Sequence, residues 1–255
     1  MEFAHLSSTV SIKTVSEDVK HGVFEVEGLY AGYGLTVGNA LRRVLLSSLP
    51  GAAVTEIKVK GVSHEFSTLP GLKEDIVELA LNFKKLRFQL HTDEPQVLTL
   101  QLKGEQVATG GNIDLNTNVA LMNPDEVLAH LTEKSAELDI EIKVERGLGY
   151  VPAEVRRAEG VRTAIGTIAI DAIFTPVQRV NYVVEEMRVE DRTDYNRVRF
   201  EIETDGTVSP SSALHKAAVI LQDHFTKVGA VEVKTFDAPE SGVVKKKATR
   251  KKKEE

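Results

Sequence analysis

The sequence predicts an α+β chain, rich in strands and with one helix near each end, on three observations. Several short stretches alternate apolar and polar residues, as a half-buried strand does: "VFEVEGL" at 23–29, "TEIKVKG" at 55–61 and "LDIEIKVE" at 138–145. One stretch, "IGTIAIDAIFTP" at 165–176, is nearly all apolar, the pattern of a strand covered on both faces. Two others return apolar residues every three or four positions, as helices do, at 37–48 and at 210–228. No internal repeat is present.

The first helix raises a question. In "GNALRRVLLSSLPG" (38–51), Val37, Ala40, Leu41, Val44 and Leu45 fall in one arc, a core stripe. Asn39, Arg42 and Arg43 fall opposite. Leu46 lies among them, roughly 160° from the centre of the stripe at ~100° per residue. A single exposed Leu needs no explanation; alternatively, one face serves the core and the other meets another chain. Thr36 is placed to cap this helix and Pro50-Gly51 to end it.

The next strand sends Ile57 and Val59 inward and Lys58 and Lys60 outward. A second helix is predicted at 73–84 with Ile76, Leu79, Ala80 and Phe83 on one face. "RFQLH" and "VLTLQLK" read as strands, and in "LDIEIKVE" the residues Leu138, Ile140, Ile142 and Val144 share a side. Residues 147–164 show no period and read as a long loop. After the apolar run, "VNYVVEE" and "NRVRFEIE" alternate again and "TDG" turns the chain. The late helix has Ser209 as N-cap, Pro210 in its first turn and Gly229 just beyond its end. Its stripe is Leu214, Ala217, Ala218, Leu221, Phe225 and Val228, widened by Ala213 and Ile220.

With 255 residues, 42% hydrophobic and 27% charged, the chain can bury a core without covalent staples. It has no cysteine, which excludes disulfides, thiolate metal sites and a Cys nucleophile and fits a reducing cytoplasm. No apolar run approaches the ~18 residues of a membrane span, so a soluble, cytoplasmic protein is expected. The net charge is −6, but the last eleven residues, "KKKATRKKKEE", hold seven Lys or Arg against two Glu, leaving −11 on the rest. Such a tail is expected to be disordered.

Candidate chemistry is sparse. Gly32, Gly34 and Gly38 follow a strand and open a helix, a setting that favours an anion. Their spacing matches neither the dinucleotide fingerprint nor the P-loop, and a tight turn into the helix accounts for them. The seven histidines (5, 21, 64, 91, 130, 215 and 224) show no metal-ligand spacing. Glu201, Glu203 and Asp205 read as the solvent side of a strand. No catalytic centre, metal or cofactor is expected.

Long blocks carry a resemblance. "GNALRRVLLSSLPGAAVTEIKVKGVSHEFSTLPGLKEDIVELALNFKKL", "KVERGLGYVPAE", "DAIFTPVQRVNYVVEEMRVEDRTD" and "ETDGTVSP" resemble, in order, the N-terminal region of the alpha subunits of bacterial DNA-directed RNA polymerase. The resemblance spans residues 1 to 235 and implies two subdomains. A dimerisation subdomain, a sheet plus two helices, is built from 1–50 and 178–235. A mostly β subdomain is inserted at 51–177, and 236–255 form a basic tail. It also implies a homodimeric scaffold, without a catalytic group of its own, that binds the beta and beta prime subunits in a complex completed by omega and sigma. Arg43, Leu46 and Glu78 match the family's beta side, and Lys84, Ile170 and Val177 its beta prime side. Val37, Leu41, Val44, Leu45, Leu214, Leu221 and Phe225 would form the dimer interface. Family members continue through a linker into a compact DNA-binding domain. This sequence departs from that pattern, either because its lineage lacks the domain or because the sequence is truncated; DNA contact is expected through the complex, and residues 245–255 would add either non-specific attraction or only solubility.

Overall fold

The computed structural model describes residues 8–158 and 166–232. The chain runs β1 (Ser11–Glu17), β2 (His21–Leu29), α1 (Tyr33–Ser47) and β3 (Pro50–Val59), then α2 (Ile76–Lys84) and β4 (Phe88–Leu90). Strands β5 (Gln96–Lys103), β6 (Gln106–Thr109), β7 (Val119–Leu121), β8 (Val127–Leu131) and β9 (Glu137–Leu148) follow. After β10 (Tyr150–Val151) and α3 (Ala153–Ala158) come β11 (Thr167–Ala169), β12 (Ala172–Ile173), β13 (Val177–Val189), β14 (Arg192–Thr204) and α4 (Pro210–Gly229).

Both ends of the chain build one antiparallel sheet, ordered β1-β2-β14-β13. Phe24 stands opposite Phe200 and Val26 opposite Val198. These side chains, with Val180 and Ile202, meet Leu41 and Leu45 of α1 and Leu214 of α4 in one core. The middle of the chain builds a separate sheet, β5-β9-β3-β4-β7 with β11 against β3. Its core is closed by Ile76, Leu79 and Phe83 of α2, the face expected from their spacing. The architecture is the α+β one expected, a subdomain of sheet plus two helices with a mostly β subdomain inserted in it.

Alternation sends the other half of β14 to the open side of the terminal sheet. There Arg179 pairs with Glu203 at 3.1 Å, His21 with Glu201 at 3.1 Å and Arg199 with Glu25 at 3.9 Å. Glu201 and Glu203 therefore belong to a cross-strand charge ladder. Asp205 differs: it is buried in the turn after β14, accepting from the amide and hydroxyl of Thr207 at 2.9 and 2.6 Å. Arg87 of the inserted subdomain lies 3.9 Å away.

The first helix differs from its expected form. It begins at Tyr33, so Thr36 is interior and caps nothing. Gly32 holds the N-cap position with φ of 82°, a left-handed conformation that favours glycine. The cap comes from far along the chain: Asn196 Oδ1 accepts from the amides of Gly32 at 2.9 Å and Gly34 at 3.3 Å. The buried residues of α1 are Gly34, Gly38, Leu41 and Leu45, a face turned roughly 60° from the centre of the predicted stripe of Val37, Ala40, Leu41, Val44 and Leu45. The reason is steric. A Cβ on Gly34 would come within 2.6 Å of Val184, and one on Gly38 within 2.7 Å of the Tyr182 ring. Only glycine lets the helix lie this close to β13. The turn carries Leu46 toward the core, where it is half-buried, and leaves Val37 and Val44 half-exposed.

Two further expectations are corrected. The apolar run 165–176 is not one strand but β11 and β12, interrupted at Asp171. Residues 147–164 are not simply a loop: β9 continues to Leu148, and β10 and α3 follow. Part of that stretch, 159–165, and the tail 236–255 lie outside the described residues.

The contact at Gly38 is testable. Alanine there gains helix propensity of roughly 1 kcal/mol but pushes α1 off Tyr182, at a cost of about 1–3 kcal/mol. Gly38→Ala is expected to lower the urea midpoint, and Tyr182→Leu in the same chain to restore part of the loss. A midpoint equal to or above wild type would show that α1 has room to spare.

Candidate functional site

Three surfaces of the molecule carry the residues singled out in the sequence. The first is the outward side of α1. Arg43 is exposed, and among the described residues no ion pair or side-chain hydrogen bond engages its guanidinium. Its neighbour Arg42 is tied down, its Nε donating to the carbonyl of Val180 on β13 at 3.3 Å. The two arginines thus differ as their ~100° separation implies. Leu35 and Asn39, both exposed, lie along the same ridge as Leu46, at i, i+4 and i+11.

The second surface is a groove of about 310 Å³ between α2 and β11. Its apolar wall is Phe66, Val77 and Leu81, all exposed, and its far wall is the segment Ile168–Asp171. Lys84 closes one end. Its ammonium reaches Asp171 Oδ2 at 3.1 Å and lies 5.5 Å from the centre of the Tyr150 ring. The Tyr150 hydroxyl donates to the same oxygen at 3.0 Å, and the amide of Ala153 donates to Asp171 Oδ1 at 3.0 Å. That amide first, with Lys84 and Tyr150, holds the Asp171 carboxyl below the usual carboxylate range against partial burial. The same carboxylate pushes the Tyr150 phenol up. Since the folded-state pKa is depressed, the brace contributes at neutral pH and is lost as acid protonates Asp171. Arg156 of α3 supports the wall from behind, donating to the carbonyls of Thr55, at 2.8 Å, and Ile170.

Ile170 and Val177 are themselves interior. Ile170 packs in the core of the inserted subdomain and shows the groove only a small part of its side chain, and Val177 is buried in the core of the terminal one. Glu78 is exposed in the first turn of α2, on the side of the helix away from Lys84 by roughly 120°. Asp75 caps that turn, accepting from the Glu78 amide at 2.7 Å.

The third surface is the stripe of α4, which changes role along its length. Leu214 and Ala217 are buried in the chain's own core, as are Leu41 and Leu45 of α1. Leu221 is half-covered. Phe225 and Val228 then stand 66% and 69% exposed, although they continue the same stripe. Of the expected dimer contacts, Val37, Val44, Leu221 and Phe225 keep free surface, while Leu41, Leu45 and Leu214 do not.

Sequence reasoning missed Asp171, Tyr150, Arg156 and Asn196. Each acts on a segment distant in sequence, and only the polar Asp171 interrupting an apolar run gave any signal. The glycine turn offers little to a phosphate, because the amides of Gly32 and Gly34 already donate to Asn196. Among the described residues, no group of three or more His, Asp or Glu is arranged to hold a metal ion. No helix among them is long and apolar enough to cross a membrane.

A family model described as the RNA polymerase Rpb3/RpoA insert domain matches residues 56–175, the inserted subdomain. The chain is 45% identical over 238 residues to the DNA-directed RNA polymerase subunit alpha of Symbiobacterium thermophilum, covering 92% of this chain and 74% of that protein. It is 47% identical over 207 residues to that of Moorella thermoacetica, covering 81% of this chain and 65% of the relative. With that of Roseiflexus sp. the identity is 48% over 210 residues, covering 82% and 64%. The matched part therefore spans between 64% and 74% of these relatives' length. With its terminal sheet, its inserted β subdomain and this identity across most of its length, the chain belongs to the family of bacterial DNA-directed RNA polymerase alpha subunits.

Proposed function

We propose that the chain is a non-catalytic assembly scaffold of DNA-directed RNA polymerase, a nucleotidyltransferase complex of the cytoplasm. Two copies form a homodimer; one holds the beta subunit and the other beta prime, with omega and sigma joining the complete complex. Residues 1–50 and 178–235 serve dimerisation and 51–177 the inserted unit, with Val177 already in the terminal core. DNA is met through the complex, with non-specific attraction to the basic tail at 245–255.

The observation that carries this reading is α4. One stripe is spent on the chain's own core in its first half and left bare in its second, which is what a helix shared between two copies requires. The ridge of α1 around Arg43 and Leu46, with Glu78, supports the beta side. The α2–β11 groove closed by Lys84 supports the beta prime side, with Ile170 as the floor beneath it and Val177 acting from within the terminal core. The deciding experiment is co-expression with beta and beta prime from the same source, followed by sizing of the complex. A chain that stays out of the complex, or an isolated dimer that itself transfers nucleotides, would overturn the proposal.

Phe225→Glu is expected to give folded monomers, because the side chain carries little of the chain's own core while a buried, unpaired carboxylate costs several kcal/mol at an interface. Solution mass decides it; an intact dimer would place the interface elsewhere.

Arg43→Ala is expected to leave the dimer intact and weaken capture of beta by roughly 30-fold or more, since truncating one partner of an interfacial charge pair costs ~2–5 kcal/mol. Arg42→Ala, which loses only a bond to β13, is expected to be milder. Equal capture of beta by wild type and Arg43→Ala would remove the case for this face.

In the groove, Leu81→Asp is expected to abolish recruitment of beta prime while the variant still folds, dimerises and binds beta. Recruitment at the wild-type level would exclude the groove as the docking site.

A further inference from the structure

Beside Pro50 and Gly51, where the chain passes from α1 into β3, the two subdomains leave a cleft of about 100 Å³ between them. Phe88 and Leu90 of β4 and Val208 of the turn before α4 give it apolar walls. Its charged groups are both cations, Arg146 of β9 and Lys216 of α4. No described Asp or Glu lines it, although the chain carries a net charge of −6. Arg146 stands where the sheet pattern expects an apolar side chain. It is in register with Ala52, and Ala52 with Phe88, so it leaves β9 on the core side, two residues after the buried Val144. Among the described residues its guanidinium meets one carboxylate through one nitrogen, that of Asp93, which is itself 87% exposed. The other donors of the fork are left over. The Lys216 ammonium has no partner among the described residues, and neither has the side-chain amide of Gln89, which also lines the cleft.

Two cations from two subdomains thus line one small space that no described carboxylate enters, a setting that favours a bound anion. We propose that the cleft is a phosphate site, taking one phosphoryl dianion either as the free ion or as the terminal phosphate of a nucleotide. The fork of Arg146 meets two of its oxygens and the Lys216 ammonium a third. The volume is about three times the ~30 Å³ share of a water, room for one tetrahedral oxyanion. The carboxylate bonded to the cleft's Thr207 is already engaged, because Asp205 accepts from the Thr207 amide and hydroxyl and faces Arg87. Lys216 lies roughly 160° around α4 from the stripe of Leu221 and Phe225, so the site stays open in a dimer that uses that stripe. The bound anion links α4 to the inserted subdomain, a tie that adds to the Arg87–Asp205 pair.

The test is calorimetric titration of the full-length chain with inorganic phosphate, and separately with ATP, at constant ionic strength. Wild type is expected to take one phosphate per chain with a dissociation constant on the order of 1 mM, and phosphate at ten times that value to raise the melting temperature by about 3–5 °C. Arg146 and Lys216 are both exposed, so Arg146→Gln and Lys216→Gln are expected to fold as wild type and to bind at least ~10-fold more weakly. Lys216→Glu sets a carboxylate opposite Arg146; it is expected to abolish phosphate binding while melting, without phosphate, no lower than wild type. ATP that binds more tightly than phosphate, with the same dependence on both residues, identifies a nucleotide's terminal phosphate as the ligand; ATP that does not compete identifies the free ion. No saturable binding at ten times the expected constant would overturn the inference. So would binding that both Gln variants keep at wild-type strength, the result that attraction to the basic residues of 245–255 would give.

Discussion

Everything else in the molecule depends on the pairing of β2 with β14. Those strands come from opposite ends of the chain, His21 against Glu203 and Leu29 against Asn196. Their contact puts α1 and α4 on one face of one sheet. It also forces the inserted subdomain to leave and return at a single seam. At that seam the backbone of Gly51 lies so close to the Phe174 carbonyl that a Cβ would come within 1.8 Å. Beside it the Thr175 hydroxyl donates to Leu46, the last turn of α1. Closing so long a loop costs only a few kcal/mol, because the cost grows with the logarithm of length. It does make the terminal sheet rest on contacts between residues far apart in the chain, which slow folding.

The seam and the Arg87–Asp205 pair tie the inserted subdomain to the terminal one. Asp205 is buried in the turn that leads into α4, and Arg87 follows α2 directly. The helix proposed for dimerisation and the helix that borders the groove are therefore joined through one buried carboxylate. Packing at glycine together with a buried, hydrogen-bonded charge fixes the separation of these two helices, as the proposed scaffold role would require. The charged open side of the terminal sheet has a different task. Its cross-strand pairs contribute little each but keep that side polar, in keeping with the proposal that association uses the helix side.

Much of this was legible in one dimension. The alternating stretches, the α2 stripe of Ile76, Leu79 and Phe83, and the Ser209-Pro210 start of α4 are local patterns with local causes, and they appear in the structure where the sequence places them. The family was legible too, because its blocks are long and in order. Arg43 and Lys84 could be named from that resemblance, but not their surroundings: Arg43 without a partner among the described residues, Lys84 held between Asp171 and the Tyr150 ring.

What the sequence determined by itself was the set of elements, their polarity and their kinship. Only tertiary structure decided which side of α1 is buried, because that depends on a ring from β13 resting against Gly38. A helical wheel gives glycine no weight, so it centred the face on the valines and left Leu46 unexplained. The cap of α1 was equally invisible, since Asn196 reaches it from a strand more than 160 residues away. The stripe of α4 reads as uniform in the sequence, yet the body of the chain supports only its first half. Periodicity says that a face is apolar; how far a neighbour extends beneath it is set by the packing of segments distant in the chain.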